Sequence, residues 1–137
     1  MKIIIIDGQG GKMGKCVVEQ LKKTHPELKL IAVGTNGIAT SAMLKAGADA
    51  GATGENPVIV NSQDADVILG PMGILTANAL WGEITPAMAA AVSESRAQKV
   101  LIPVNRCSVT VVGVEQLPLG EYVRLAVLAA KEALEEA

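Results

Sequence analysis

The residues best suited to chemistry in this sequence are the glycines of GQGGKMG (8–14), directly after the run IIIID. Gly8, Gly11 and Gly14 form the spacing G-x-x-G-x-x-G, and Gly8, Gly10 and Gly14 form G-x-G-x-x-x-G. Turns that join a strand to a helix use both spacings to approach a pyrophosphate closely. Because the first N–H groups of a helix are free and its dipole favours negative charge, we expect an anion here. The alternative is a tight corner that needs small residues only for packing.

Three further loops follow predicted strands: GTNG (34–37), GPMG (70–73) and NRCS (105–108). The carboxyl ends of parallel strands meet at one edge of a sheet, so all four loops are expected to surround one site. The residues predicted to bind a cofactor come from the first three loops: Gly8, Gln9, Gly10, Gly11, Lys12, Met13, Gly14, Gly34, Thr35, Asn36, Gly70, Pro71, Met72 and Gly73.

Acid–base and nucleophilic residues are sparse around these loops. Asp7 is the best placed base, although a carboxylate beside a pyrophosphate is repulsive unless it is protonated, turned away or bound to a cation. Cys107 is a candidate nucleophile beside Arg106, with a small packed residue as the alternative. Two cysteines and one histidine fit no metal-ligand spacing, so no metal site is predicted. This scarcity favours a binding module and leaves catalysis an open question.

The elements that must position these loops alternate along the whole chain, which predicts one nucleotide-binding α/β domain over residues 1–137. Continuous aliphatic runs are typical of parallel strands covered on both faces. We therefore expect a Rossmann-like three-layer sandwich, with a mostly parallel sheet of five to six strands and helices on both faces. The predicted strands are 2–7, 28–33, 57–60, 66–69, 99–104 and 109–114, and the predicted helices are 12–24, 38–46, 86–95 and 120–136. Residues 61–84 give no clear pattern.

Composition excludes several classes of partner. A net charge of −2, without a basic run or an aromatic platform, argues against a nucleic-acid partner. No apolar stretch reaches the length of a membrane span, so no membrane partner is expected. The opening MKIIII is too short for a signal sequence, which predicts a cytoplasmic protein with reduced thiols.

The last predicted helix contains LAVLAA (125–130), which is apolar on every face. A helix that is apolar all round is buried, and a single sheet covers only one side of it. We therefore expect a homodimer through the 119–136 helix, with Leu128 or its neighbours Leu125 and Val127 facing the second copy.

The segment GQGGKMGK resembles the N-terminal loop of dihydrodipicolinate reductases, in which G-x-x-G-[RK]-M-G binds the pyrophosphate of NAD(P). This resemblance covers about the first fifteen residues, and it implies NAD(P) or another nucleotide as the ligand. The catalytic half of that family carries a paired-histidine loop, which a chain with one histidine lacks, so the reaction is not implied. The whole chain, including ATGEN and IPVNRCSVTVVGV, resembles a bacterial family of small proteins known only as a domain of unknown function. That likeness implies a Rossmann-like fold and no activity.

Two features depart from a classical NAD site, namely the carboxylate of Asp7 beside the turn and the end of the second strand. An acidic residue usually ends the second strand and binds the ribose hydroxyls, whereas this chain has Gly34-Thr35-Asn36 there.

The turns GTNG and GPMG also resemble the phosphate-binding loops of methylglyoxal synthases, which pair G-T-T-G with G-P-x-G. On that alternative the protein is a small phosphometabolite enzyme in which Asp7 or Asp66 acts as the base, although the family's histidine and aspartate have no clear counterparts.

Overall fold

Five parallel strands form the middle layer of the computed structural model, which describes residues 1–104 and 108–136. Their order across the sheet is β3-β2-β1-β4-β5, and every neighbouring pair is parallel. The predicted α/β, Rossmann-like three-layer fold is therefore confirmed, with five strands in the described part of the chain. The strands are β1 (Ile3–Asp7), β2 (Leu30–Gly34), β3 (Ala50–Thr53), β4 (Val67–Pro71) and β5 (Gln98–Ile102).

Helices cover both faces of this sheet. One core lies beneath α1, α2 and α5, and a second lies beneath α3 and α4. The side chains of β1 alternate between these cores, because Ile3 and Ile5 face the first and Ile4 and Ile6 face the second. This explains the unbroken isoleucine run. The helices are α1 (Lys12–Thr24), α2 (Gly37–Lys45), α3 (Glu55–Gln63), α4 (Pro86–Glu94) and α5 (Leu119–Glu136), with a short 3-10 helix at Met72–Leu75.

The strand order reverses between β1 and β4. From β1 the chain builds outward through β2 and β3, then returns to place β4 on the other side of β1. The chain therefore leaves β1 and β4 toward opposite faces of the sheet at its carboxyl edge. This is the position at which open parallel sheets bind ligands.

Two predicted strands are wrong. The run 57–60 lies inside α3, where Pro57 is tolerated in the first turn and Val58 is buried. A short apolar run does not distinguish a strand from a buried helix segment. The run 109–114 is not a strand, because Gly113 has a φ of 85° in a turn and Val112 is 95% exposed.

The sequence also failed to predict β3. This edge strand reads AGAT, pairs only with β2 and is mostly exposed. Its small residues give no aliphatic signal.

The predicted start of α4 is correct, because the Thr85 hydroxyl accepts the Met88 N–H at 3.1 Å and Pro86 follows Thr85. In the described residues, no helix combines the length and apolarity that crossing a membrane requires.

Candidate functional site

The turn GQGGKMG lies at the carboxyl end of β1, and its last three residues form the first turn of α1. Gly11 precedes α1 with a φ of 74°, which residues with side chains rarely adopt. A Cβ on Gly11 would also lie 2.8 Å from the Cα of Ala39 on α2. A Cβ on Gly10 would meet no atom within 4 Å. Gly11 is therefore required by the fold, whereas Gly10 borders open space.

Asp7 lies beneath this turn and is 3% exposed. Its Oδ1 accepts the Gly8 N–H at 2.8 Å, and its Oδ2 accepts the Gly14 N–H at 2.7 Å. Burial raises the pKa of Asp7 above its ordinary value, against the two backbone hydrogen bonds that lower it, and the nearby Glu83 carboxylate raises it further. Asp7 thus caps α1 from inside the protein.

Three backbone N–H groups at this turn have no hydrogen-bond partner among the described residues. The N–H groups of Gly10, Lys12 and Met13 donate to no acceptor among the described residues. The first turn of α1 contains no acidic residue, and Lys12 is its first residue. Free N–H groups at the positive end of a helix dipole favour an anion, and so do the lysines there.

The loop after β2 packs directly against this turn. The Thr35 N–H donates to the Asp7 carbonyl at 2.9 Å, and Asn36 Nδ2 donates to the Gln9 carbonyl at 2.9 Å. Asn36 Oδ1 also accepts the Ala39 N–H, which caps α2. The structure therefore brings Thr35 and Asn36 together with the GQGGKMG residues, as sequence position suggested.

Glu83 is the residue that the sequence did not reveal. Its Oε1 accepts three hydrogen bonds, from Thr35 Oγ1 at 2.6 Å, Asn36 Nδ2 at 2.7 Å and the Gln9 N–H at 2.9 Å. Partial burial alone raises the pKa of Glu83, but these hydrogen bonds hold it below its ordinary value. Glu83 is the only acidic residue between Asp66 and Glu94, but its isolation in the sequence does not indicate which residues it contacts.

Glu83 is carried by the crossing segment, defined here as residues 76–84, between the 3-10 helix and α4. A Cβ on Gly8 would lie 2.8 Å from Leu80 Cδ1 and 3.0 Å from Glu83 Oε1, so this segment covers Gly8. Four residues of the segment have positive φ angles: Asn78, Leu80, Trp81 and Gly82. The side chain of Trp81 is 97% exposed. Such backbone strain is often found where loops serve a ligand site.

The GPMG residues do not join this cluster through hydrogen bonds within the described chain. Gly70 and Pro71 end β4, and Met72 and Gly73 begin the 3-10 helix. A Cβ on Gly70 would lie 2.7 Å from the Ile6 carbonyl, so close packing accounts for this glycine. Gly34 is likewise packed against Thr40.

The remaining candidates lie elsewhere. Asp66 precedes β4 at the opposite, amino-terminal edge of the sheet, where its Oδ2 accepts the Lys2 N–H at 2.6 Å. That position does not fit the base of the methylglyoxal-synthase-like alternative. Cys107 and its neighbour Arg106 lie outside the described residues. Within the described ranges, no three His, Cys, Asp or Glu side chains are grouped to hold a metal ion.

The fold and this edge define the class: a Rossmann-like α/β protein with a glycine turn at the switch point of a parallel sheet. Residues 2–135 match the family model described as a domain of unknown function (DUF3842), and the chain belongs to that family. No curated protein and no solved structure matches the chain.

Proposed function

We propose that the protein is a cytoplasmic module that binds a nucleotide or dinucleotide of the NAD(P) type across the turn 8–14. The observation that carries this proposal is the set of free N–H groups of Gly10, Lys12 and Met13, together with the open space at Gly10 near the switch point of the sheet. The phosphate groups of the ligand accept these N–H groups at the start of α1. The crossing segment forms the other wall.

The charge distribution supports an anion at this place. Lys12 and Lys15 stand in the first turns of α1, where cations are unfavourable beside the positive end of the helix dipole. Lys15 makes only a 3.9 Å ion pair with Glu19, and both side chains are about half exposed. A bound phosphate compensates both lysines and the unpaired N–H groups.

The arrangement supports a binding role over acid–base chemistry. Both oxygens of Asp7 already accept backbone N–H groups, and the side chain is buried under the turn. A general base must reach its substrate's proton, directly or through a water. Asp7 therefore serves the proposed site by holding the start of α1 in place.

Trp81 allows a direct test, because it is the only tryptophan of the chain and lies two residues from Glu83. We expect NAD⁺ to change the fluorescence of Trp81 in a saturable way, since ligand at the turn contacts the crossing segment. Calorimetry should give the same dissociation constant. As a control, nicotinamide alone, which lacks phosphate, should change nothing. If nucleotides neither alter the emission nor release heat, and mass spectrometry finds none released from the denatured protein, the proposal is wrong.

We also propose a homodimer through α5. Val123, Ala126, Val127 and Ala130 are buried against the chain's own sheet. Val127 therefore does not face outward, contrary to the expectation that it was available to a partner. Leucines at the other side of α5 are about half exposed, with exposed fractions of 43% for Leu125 and 48% for Leu128. Leu125 also lines a groove of about 440 Å³ beside β5.

The dimer predicts a shift in mass when α5 changes. Burying a leucine side chain contributes roughly 1.5–3 kcal/mol relative to leaving it in water, so Leu128→Glu should favour the monomer. Light scattering at micromolar concentration should give twice the chain mass for the wild type and a lower mass for the variant. Lys131→Glu, a charge change on an exposed position of the same helix, serves as the control. A monomeric wild type contradicts this proposal.

A further inference from the structure

Glu83 places a carboxylate where dinucleotide-binding folds usually have one, but it comes from a different element of the chain. In dinucleotide-binding sheets, an acidic residue at the end of the second strand accepts the ribose hydroxyls. Here β2 ends at Gly34, and the next two residues are Thr35 and Asn36. The side chains of both donate to Glu83 Oε1, at 2.6 and 2.7 Å. A carboxylate thus stands at the end of β2, although it comes from the crossing segment, 47 and 48 residues away in sequence.

We infer that Glu83 determines the ligand's specificity by accepting the 2′- and 3′-hydroxyls of its ribose, so that the site takes NAD-type nucleotides and rejects 2′-phosphorylated ones. This inference rests on the proposed function, and it names the residue that recognises the ribose of the nucleotide.

The orientation of the carboxylate supports the assignment. Three donors from two loops hold Oε1, one of them the N–H of Gln9 in the glycine turn itself. Oε2 accepts no hydrogen bond from the described residues. One oxygen is therefore fixed by the protein, and the other keeps its lone pairs for a ligand. A ribose diol supplies O–H donors of this kind.

The charge supports the discrimination. The hydrogen bonds to Glu83 lower its pKa, so the group is ionised at neutral pH. No lysine or arginine of the described ranges lies within 4 Å of this carboxylate. A 2′-phosphate would therefore meet a carboxylate whose charge no lysine or arginine of the described residues neutralises, and like charges at an interface are strongly unfavourable.

The test compares NAD⁺ with NADP⁺ by calorimetry at neutral pH. Because like-charge contacts are unfavourable, we expect the wild type to bind NAD⁺ at least about 10-fold more tightly. Glu83→Gln keeps the acceptor Oε1 for Thr35, Asn36 and Gln9 while removing the charge. This variant should bring the ratio of the two dissociation constants close to one. Glu94→Gln, an exposed position at the far end of α4, removes the same charge away from the turn and should keep the wild-type ratio.

The outcomes separate this inference from the proposed function. Equal affinities for the two nucleotides in the wild type overturn the role of Glu83 and leave nucleotide binding standing. A wild-type preference that Glu83→Gln leaves unchanged overturns the role as well. If the wild type binds neither nucleotide, both the inference and the proposed function fail. Unfolding curves of Glu83→Gln should match the wild type, which checks that the variant reports the ligand contact.

Discussion

Gly10→Val is expected to abolish nucleotide binding while leaving the fold intact. A Cβ on Gly10 meets no protein atom within 4 Å, so the protein itself tolerates a side chain there. The same space lies beside the free N–H groups of Lys12 and Met13, where the phosphates are proposed to lie. We expect affinity to fall at least about 100-fold, which corresponds to about 3 kcal/mol. Calorimetry measures the affinity, and circular dichroism checks the fold.

Substitution of the neighbouring Gly11 is expected to destabilise the fold itself. Gly11→Val places a β-branched residue at a φ of 74° and its Cβ 2.8 Å from the Ala39 backbone. Left-handed backbone costs about 1–2 kcal/mol for such a residue and overpacking about 1–3 kcal/mol more, so urea unfolding should show a loss of roughly 2–5 kcal/mol. Gly120→Val, in open space on α5, is the control for both variants. A folded Gly10→Val protein with wild-type affinity for the nucleotide would contradict the proposal that the turn 8–14 binds its phosphates.

Asp7→Ala should destabilise the protein by about 2–4 kcal/mol at neutral pH. The substitution leaves the Gly8 and Gly14 N–H groups without their acceptors in the interior, and each unpaired buried donor costs about 1–3 kcal/mol. Relief from burying a charge offsets part of this loss. Urea unfolding measures the effect. Glu94→Ala, an exposed acid on α4, provides the matched control and should change stability little.

The sign of the pH dependence follows from the direction of the shift. Folding raises the pKa of Asp7 above its ordinary 3.8, so the folded protein binds this proton more tightly than the unfolded chain. The resulting stability is fully present below pH 3.8 and is lost as pH rises through the folded pKa. The difference in unfolding free energy between wild type and Asp7→Ala should therefore be larger at pH 4 than at pH 8. A difference that grows with pH would mean that the two N–H bonds outweigh burial.

Much of the fold could be predicted because local signals and burial agree in the central strands. The isoleucines of β1 are buried on both faces, and Thr85-Pro86 marks the start of α4 unambiguously. Prediction failed where these signals separate. The edge strand β3 has no isoleucine, leucine or valine to reveal it, and the valines of 109–114 lie in a segment that pairs with no strand of the described residues.

The candidate site was likewise predictable only in part. The glycine turn is local, so its spacing and the strand before it were enough to find it. Glu83 was not predictable, because its donors lie 47 to 74 residues away in the sequence and only the sheet topology brings them near. The crossing segment also has no helical or strand period, and four of its residues have positive φ angles.

The distance between the turn and Glu83 also matters during synthesis of the chain. Chains are made from the amino terminus, and the glycine turn leaves the ribosome before Glu83 has been translated. A nascent chain ending near residue 75 already contains β1, α1 and β2, with the Gln9 N–H and the Thr35 hydroxyl lacking their common acceptor. The two parts of the edge can therefore meet only after the crossing segment, which follows β4 in the chain, has been synthesised. If Glu83 selects the nucleotide as proposed, that selectivity depends on the part of this edge that is synthesised last, and a chain that ends near residue 75 would carry the turn without it.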